Sequence, residues 1–354
     1  MRQELSLYGE ESFKANKIEF DQLLAIYEKG ELTEATFQSG IKVKGRRSIP
    51  AVLSAIKPLR EYFGKRRIRS IKANDIKNYK DHRLNTPVEV EVNEKGTVFD
   101  KRTGQEKTEV KKVIRSHQRK IASVNRELEL LRAILNYAVQ NEWLIKNPFA
   151  LTKGIISKAA EVQRDRVLSN DEEQRLLDVC VDRKSHLRPL LICALDTAMR
   201  RGEIFKMVWK DVDLLRNEIY IPQTNTKTEV ARTVGVTKRL REEFGTLWEA
   251  SSKNLSKTVF GITNTIKTSF KSACDEAEIR DFRFHDCRHT ATTRMIASGS
   301  PHTEVMKITG HSQLKTFLRY LNITPETTNR VASNLDNYLT DNQFSADDIS
   351  ETVN

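Results

Sequence analysis

The stretch Phe284-His285-Asp286-Cys287-Arg288-His289-Thr290 sets an imidazole and a guanidinium three positions apart. One helical turn brings such a pair to a single face, where both donors address one anion. A histidine three residues from an arginine also arises by chance, so its flanks decide its meaning. Upstream, Thr197-Ala198-Met199-Arg200-Arg201-Gly202-Glu203 closes an apolar segment. Arg200 and Glu203 stand at a spacing that makes a plain structural ion pair on any helix. Downstream, Gly310 suits a helix terminus or tight turn that presents His311, and Arg319-Tyr320 follows. Singly, His311 reads as a turn residue and Tyr320 as a half-buried core aromatic.

Around these clusters the chain is patterned for helices with a little sheet. Ser169 with Glu172 has the form of a capping box, and a second helix is expected over 187–197. A strand pair follows, 218–222 and 232–236, joined by a polar loop carrying Lys227; from Thr265 the chain reads as helical almost to its end. In the first half, helices are expected over 17–30, 48–63, 74–84 and 123–141, the last from Val124, Leu128, Leu131, Leu135 and Ala138 along one face. Val88, Val90 and Val92 alternate with glutamates, and Asn93 to Gly96 offers a turn before Val98-Phe99, so a polar hairpin is expected at 87–116. The aperiodic residues 151–166 read as a linker. The expected fold is mainly α with a small β-sheet: a helical domain at 1–150, a mixed α/β domain at 167–330 and an acidic tail at 331–354.

The whole chain has 354 residues, of which 38% are hydrophobic and 31% charged, as in a globular protein with a solvated surface. No apolar run suffices to span a membrane, and the first residues lack the apolar core of a signal peptide, so a cytosolic or nucleoid location is expected. Four cysteines without a C-x-x-C pair argue against a disulfide framework or a zinc site. The net charge of +12 is unevenly placed. Residues 1–166 hold 34 basic and 22 acidic side chains, whereas 167–354 hold 26 of each. Lys57, Lys65, Arg66, Arg67 and Arg69 lie in the densest basic run. Such a surface attracts a polyanion by releasing its counterions; the alternative is a solvated helical face.

Taken in order, Arg200 in a T-x-x-R-x-x-E-I frame, a lysine in a strand turn, H-x-x-R-H-T, G-H-S and R-Y resemble the tyrosine recombinase family of phage-type integrases. The motifs cover roughly residues 167–330, and Val124-Asn125-Arg126-Glu127-Leu128 with Asn147-Pro148 extends the likeness less specifically into a helical, DNA-clamping core-binding domain. The resemblance implies Arg200, Lys227, His285, Arg288 and His311 around a scissile phosphate and Tyr320 as nucleophile, with Arg126 joining the basic run as a DNA contact. Lys210 and Lys238 are alternatives to Lys227. Ala198-Met199 stands where the family usually has Gly-Leu, and Cys287 replaces a leucine; both read as packing changes. Asn322 lies near a position where many relatives have histidine.

The implied reaction is attack of the Tyr320 oxygen on a DNA phosphodiester, giving a 3′-phosphotyrosyl enzyme and a free 5′-hydroxyl. Arg200 and Arg288 would hold the non-bridging oxygens by forked hydrogen bonds, His311 would add a donor, Lys227 would protonate the leaving oxygen and His285 would assist near Tyr320. No metal, ATP or other cofactor is called for, and no Walker-type glycine loop is seen. The implied partners are double-stranded attachment sites, a homo-tetramer on DNA and accessory DNA-bending proteins. Leu335, Tyr338, Leu339 and Phe344 are expected either to anchor the tail on a neighbouring protomer or to belong to a disordered end. Competing readings are a type IB topoisomerase-like nicking and closing enzyme and a DNA-binding regulator without turnover.

Overall fold

A computed structural model describes residues 17–38, 41–46, 48–100, 105–162, 164–226, 230–262, 265–320, 328–329 and 331–340. Two compact units divide the chain, Met1–Gln163 and Arg164–Asn354.

In the first unit, helices α1 (Phe20–Glu31), α2 (Ile49–Phe63), α3 (Ala73–Asn85) and α4 (Ile121–Gln140) surround one core. The apolar face expected on α4 is buried, with Val124, Leu128, Leu131, Leu135 and Ala138 all fully enclosed against Phe20, Leu59 and Phe63. One charge interrupts that face. Glu127 is buried and accepts a fork from Arg83 (2.8 and 2.7 Å) and a bond from the Tyr79 hydroxyl (2.7 Å), so its desolvation is compensated.

A short hairpin, β1 (Thr36–Gln38) and β2 (Ile41–Lys44), went unnoticed in the sequence because its strands are three and four residues long. The insertion between α3 and α4 is a hairpin of β3 (Val88–Asp100) and β4 (Gln105–His117). Its turn differs from expectation. Asn93 and Gly96 stay in the strand opposite Lys112 and Glu109, and Val98 still belongs to β3. An unbroken antiparallel ladder from Val88–His117 to Asp100–Gln105 satisfies backbone groups that an early turn would leave unpaired.

The stretch 151–166 is held on both flanks. Ile155 and Ile156 pack on the first core, and Asn125 Nδ2 donates to Ser157 O (3.0 Å) and Glu161 (2.9 Å). Arg164, in the second unit, forks onto Asp286 (2.7 Å) and Asp281 (2.8 Å).

The second unit is built around α6 (Leu187–Thr197), buried on nearly every side and preceded by α5 (Asn170–Asp178). Ser169 and Glu172 form the expected capping box, both bonds at 3.1 Å. A short α7 (Arg201–Lys206) leads to an antiparallel sheet, β5 (Val212–Asp213), β6 (Glu218–Ile221) and β7 (Arg232–Gly235), in that order. Then come α8 (Lys238–Glu249), α9 (Lys267–Glu276), α10 (Asp286–Ala297), α11 (His302–Thr309) and α12 (Leu314–Phe317). The helical stretch expected after Thr265 is thus broken by loops. Residues 331–340 are helical, with every side chain exposed.

Candidate active site

The site begins where α6 stops. Ala198 adopts φ +54° and ψ +19°, a left-handed conformation that turns the chain out of the helix. Its replacement of the family's glycine is therefore a backbone change, not the packing change expected from side-chain size. Arg200 then caps α7: its backbone N–H donates to Glu203 Oε2 (2.8 Å) and its Nη1 to Oε1 (3.0 Å). The plain ion pair exists, and the guanidinium still reaches further, Nη2 donating to the Gly310 carbonyl (2.9 Å).

His285 precedes α10, and Arg288 lies one turn in, buried. Arg288 Nη1 donates to the Ala198 carbonyl and Nη2 to the Thr309 carbonyl, both at 2.6 Å. The two arginines thus grip successive carbonyls, Thr309 and Gly310. Among the described residues no carboxylate pairs with Arg288. Burial, then the neighbouring Arg200 charge, pulls its guanidinium down to about 9. Arg200 has Glu203 as its counter-ion while Arg288 has none, so the pair carries a surplus positive charge that can receive an anion.

Gly310 ends α11 at φ +70°, as its residue type suggested, and presents His311. The imidazole differs from its expected part as donor. The Thr309 hydroxyl gives its proton to the Val305 carbonyl (2.6 Å), so it accepts from His311 Nδ1–H (2.7 Å). Nε2 is then the unprotonated nitrogen and faces Arg288 Nη2 at 3.3 Å. Burial first, and Arg288 next, hold the His311 pKa down to about 3. In the anion-free site His311 therefore accepts; it donates through Nε2 only once protonated.

Tyr320 is buried at 8% exposure, its ring 5.3 Å from that of His311 and 4.6 Å from that of His289. Arg319 covers the ring at 5.5 Å and is tied to the Arg164 carbonyl. The Tyr320 hydroxyl has no hydrogen-bond partner among the described residues. His285 sits at the rim, exposed, with its pKa lowered by desolvation and then by Arg288.

Residues 166–327 match the family model described as the phage integrase family. The second unit belongs to this family of tyrosine recombinases. Among curated proteins the chain is 31% identical over 205 residues to a shufflon-specific DNA recombinase of Escherichia coli, covering 57% of this chain and 51% of that protein. It is 27% identical over 221 residues to the integrase of Salmonella phage P22, covering 58% and 55%. The chain spans about half the length of these relatives. Solved structures share the fold. A Tn1549 transposon integrase with transposon right-end DNA matches at TM-score 0.64 and 16% identity, over 90% of this chain and 100% of that one. A lambda integrase dimer on a core site matches at 0.61 and 15%, over 91% and 84%.

Of the side chains expected to act in this integrase unit, Arg200, Arg288, His311 and Tyr320 converge on the 309–311 turn, and His285 lies at its edge. Lys227, Asn322 and Phe344 fall outside the described residues. Cys287 is fully buried in the main core, as the apolar residue it replaces would be. In the first unit Lys57, Lys65 and Arg67 are exposed, whereas Arg66 pairs with Asp75 (2.7 Å), Arg69 Nε donates to Trp143 O (3.2 Å) and Arg126 pairs with Glu129 and Glu161. Sequence reading missed His289, although it stands four residues from His285 on the same helical face. It also missed Thr309, whose hydroxyl sets the His311 tautomer and whose sequence carries no signal of it.

Proposed function

We propose that the chain is a site-specific DNA recombinase that cuts and rejoins duplex DNA through a 3′-phosphotyrosyl intermediate, integrating or excising a mobile element. The observation that carries this reading is the pair of guanidiniums on the Thr309 and Gly310 carbonyls, beside His311 and the Tyr320 ring. A phosphodiester seated there receives forked donors on its non-bridging oxygens. The phenol oxygen attacks phosphorus, the bond to the 5′ oxygen breaks, and that oxygen takes a proton from Lys227. His285, its neutral form favoured by partial desolvation at the rim and then by the Arg288 charge, accepts the phenol proton. The incoming phosphate charge favours His311 protonation, which turns Nε2 from acceptor to donor. The intermediate keeps about the energy of the original linkage, so a partner 5′-hydroxyl reverses the attack without ATP.

The basic first unit supplies phosphate contacts through Lys57, Lys65 and Arg67, which position the enzyme while base contacts select its site. The helical segment 331–340 carries exposed Val331, Leu335 and Leu339 and docks on a neighbouring protomer of a DNA-bound tetramer.

A suicide substrate nicked beside the cleavage point tests the reading. Wild type should trap a covalent protein–DNA adduct that Tyr320→Phe loses. Cognate DNA bound with no adduct would make the chain a regulator, and relaxation of supercoiled plasmid lacking a recognition site would make it a topoisomerase.

A further inference from the structure

Arg232 opens β7, outside every motif considered above, and its side chain is only 7% exposed. Its fork meets both oxygens of Glu203, Nη1 to Oε1 at 3.1 Å and Nη2 to Oε2 at 2.6 Å. Its Nε donates to the Ile308 carbonyl at 2.8 Å. Against its guanidinium lies Gly310, where an added Cβ would approach to 3.1 Å. One side chain therefore touches the carboxylate that holds Arg200 and the turn that carries His311.

Charge makes this arrangement consequential. Glu203, essentially sealed from solvent, accepts from both Arg200 and Arg232. Three groups with two positive charges and one negative leave a surplus of one cation. Without Arg232, the buried carboxylate would have Arg200 as its sole cationic partner, and that pair would be neutral. A neutral pair attracts an anion far less than a cation does.

We propose that Arg232 is a positioning residue for phosphate binding and strand cleavage: it neutralises Glu203 so that the Arg200 charge remains available, and it fixes the 308–310 turn against the arginine pair. This rests on the reading of the site as a phosphodiester-cleaving centre. Arg232 itself touches no reacting atom.

The test compares Arg232→Met, Arg232→Lys and the double variant Arg232→Met with Glu203→Gln. Two readouts are used: affinity for inorganic phosphate followed through the His311 imidazole resonance, and adduct formation on the suicide substrate. Arg232→Met should lower both by about tenfold to a hundredfold, the usual cost of losing a group that orients a binding residue. The double variant removes one charge of each sign and should recover at least half of the lost phosphate affinity on a logarithmic scale. Arg232→Lys keeps the charge without the fork; its phosphate affinity should stay within about threefold of wild type while its adduct rate falls about tenfold.

A purely structural role would make the double variant worse than the single one, and that result, or wild-type behaviour of Arg232→Met, overturns the proposal. Should Arg232→Met not fold, the split between affinity and rate in Arg232→Lys decides, equal losses in both counting against it. Phosphate effects as expected with no adduct even from wild type would uphold the role of Arg232 and sink the cleavage reading instead.

Discussion

The Ala198 carbonyl accepts a 2.6 Å hydrogen bond from Arg288 Nη1 while its own residue is held at φ +54°. The left-handed turn ends α6 and aims that carbonyl at the arginine, so a strained backbone position fixes a guanidinium of the anion site. Strain of this kind persists where surrounding contacts over-determine it.

Ala198→Gly should relieve that strain. A left-handed alanine costs about 1–2 kcal/mol, and the greater freedom of glycine in the unfolded chain returns about 0.4–1 of it. The expected outcome is a stabilisation of about 0.5–1 kcal/mol in urea unfolding, with the Arg288 contact retained. A destabilised variant would mean that the Ala198 methyl contributes packing that outweighs the backbone term.

Stability should fall in acid partly through His311. Its folded pKa is about 3, set by burial and then Arg288, against an ordinary value of 6.5. Below about pH 6.5 the unfolded chain binds a proton that the folded chain refuses, so stability drops as pH falls from about 6.5 toward 3. His311→Gln should show a shallower decline, read by urea titrations at about pH 7 and about pH 4.5. Identical pH slopes in the two proteins would refute the depressed imidazole.

Replacing Lys57, Lys65 and Arg67 together by alanine should leave thermal stability unchanged, since all three are exposed. The slope of log affinity for DNA against log salt should become shallower by about 2.7, from roughly 0.9 per lost phosphate contact. An unchanged slope would locate the DNA footprint on another face.

Leu335→Asp with Leu339→Asp alters two exposed side chains, at 56% and 51%. Melting temperature should hold, and binding to a single half-site should be unaffected. Assembly of paired sites on native gels should weaken severalfold. Full assembly would assign that helix a different partner.

Much of the site was legible in order along the chain. Helical spacing put His285 and Arg288 on one face but only the family resemblance gave them a role, whereas Gly310 needed only the freedom of glycine at positive φ and α4 only its buried stripe. The hairpin at 87–116 was visible from alternation, yet its turn was misplaced, because Asn93 to Gly96 has turn chemistry that a longer ladder overrides. Ala198 was read by side-chain volume, whereas its role lies in a dihedral angle that no residue type declares.

The sequence by itself determined which side chains are available, that charge is concentrated in the first unit, and where helices and strands form, since these follow from spacing and composition. Only the tertiary structure decided that Arg200 and Arg288 bond adjacent carbonyls, that Thr309 sets the His311 tautomer and that Arg232 shares Glu203 with Arg200. The arginine contacts join residues 21 to 110 positions apart, and the Thr309–His311 contact, though local, depends on the turn those contacts hold; burial fixes their energies through the loss of solvent screening, which local sequence does not encode.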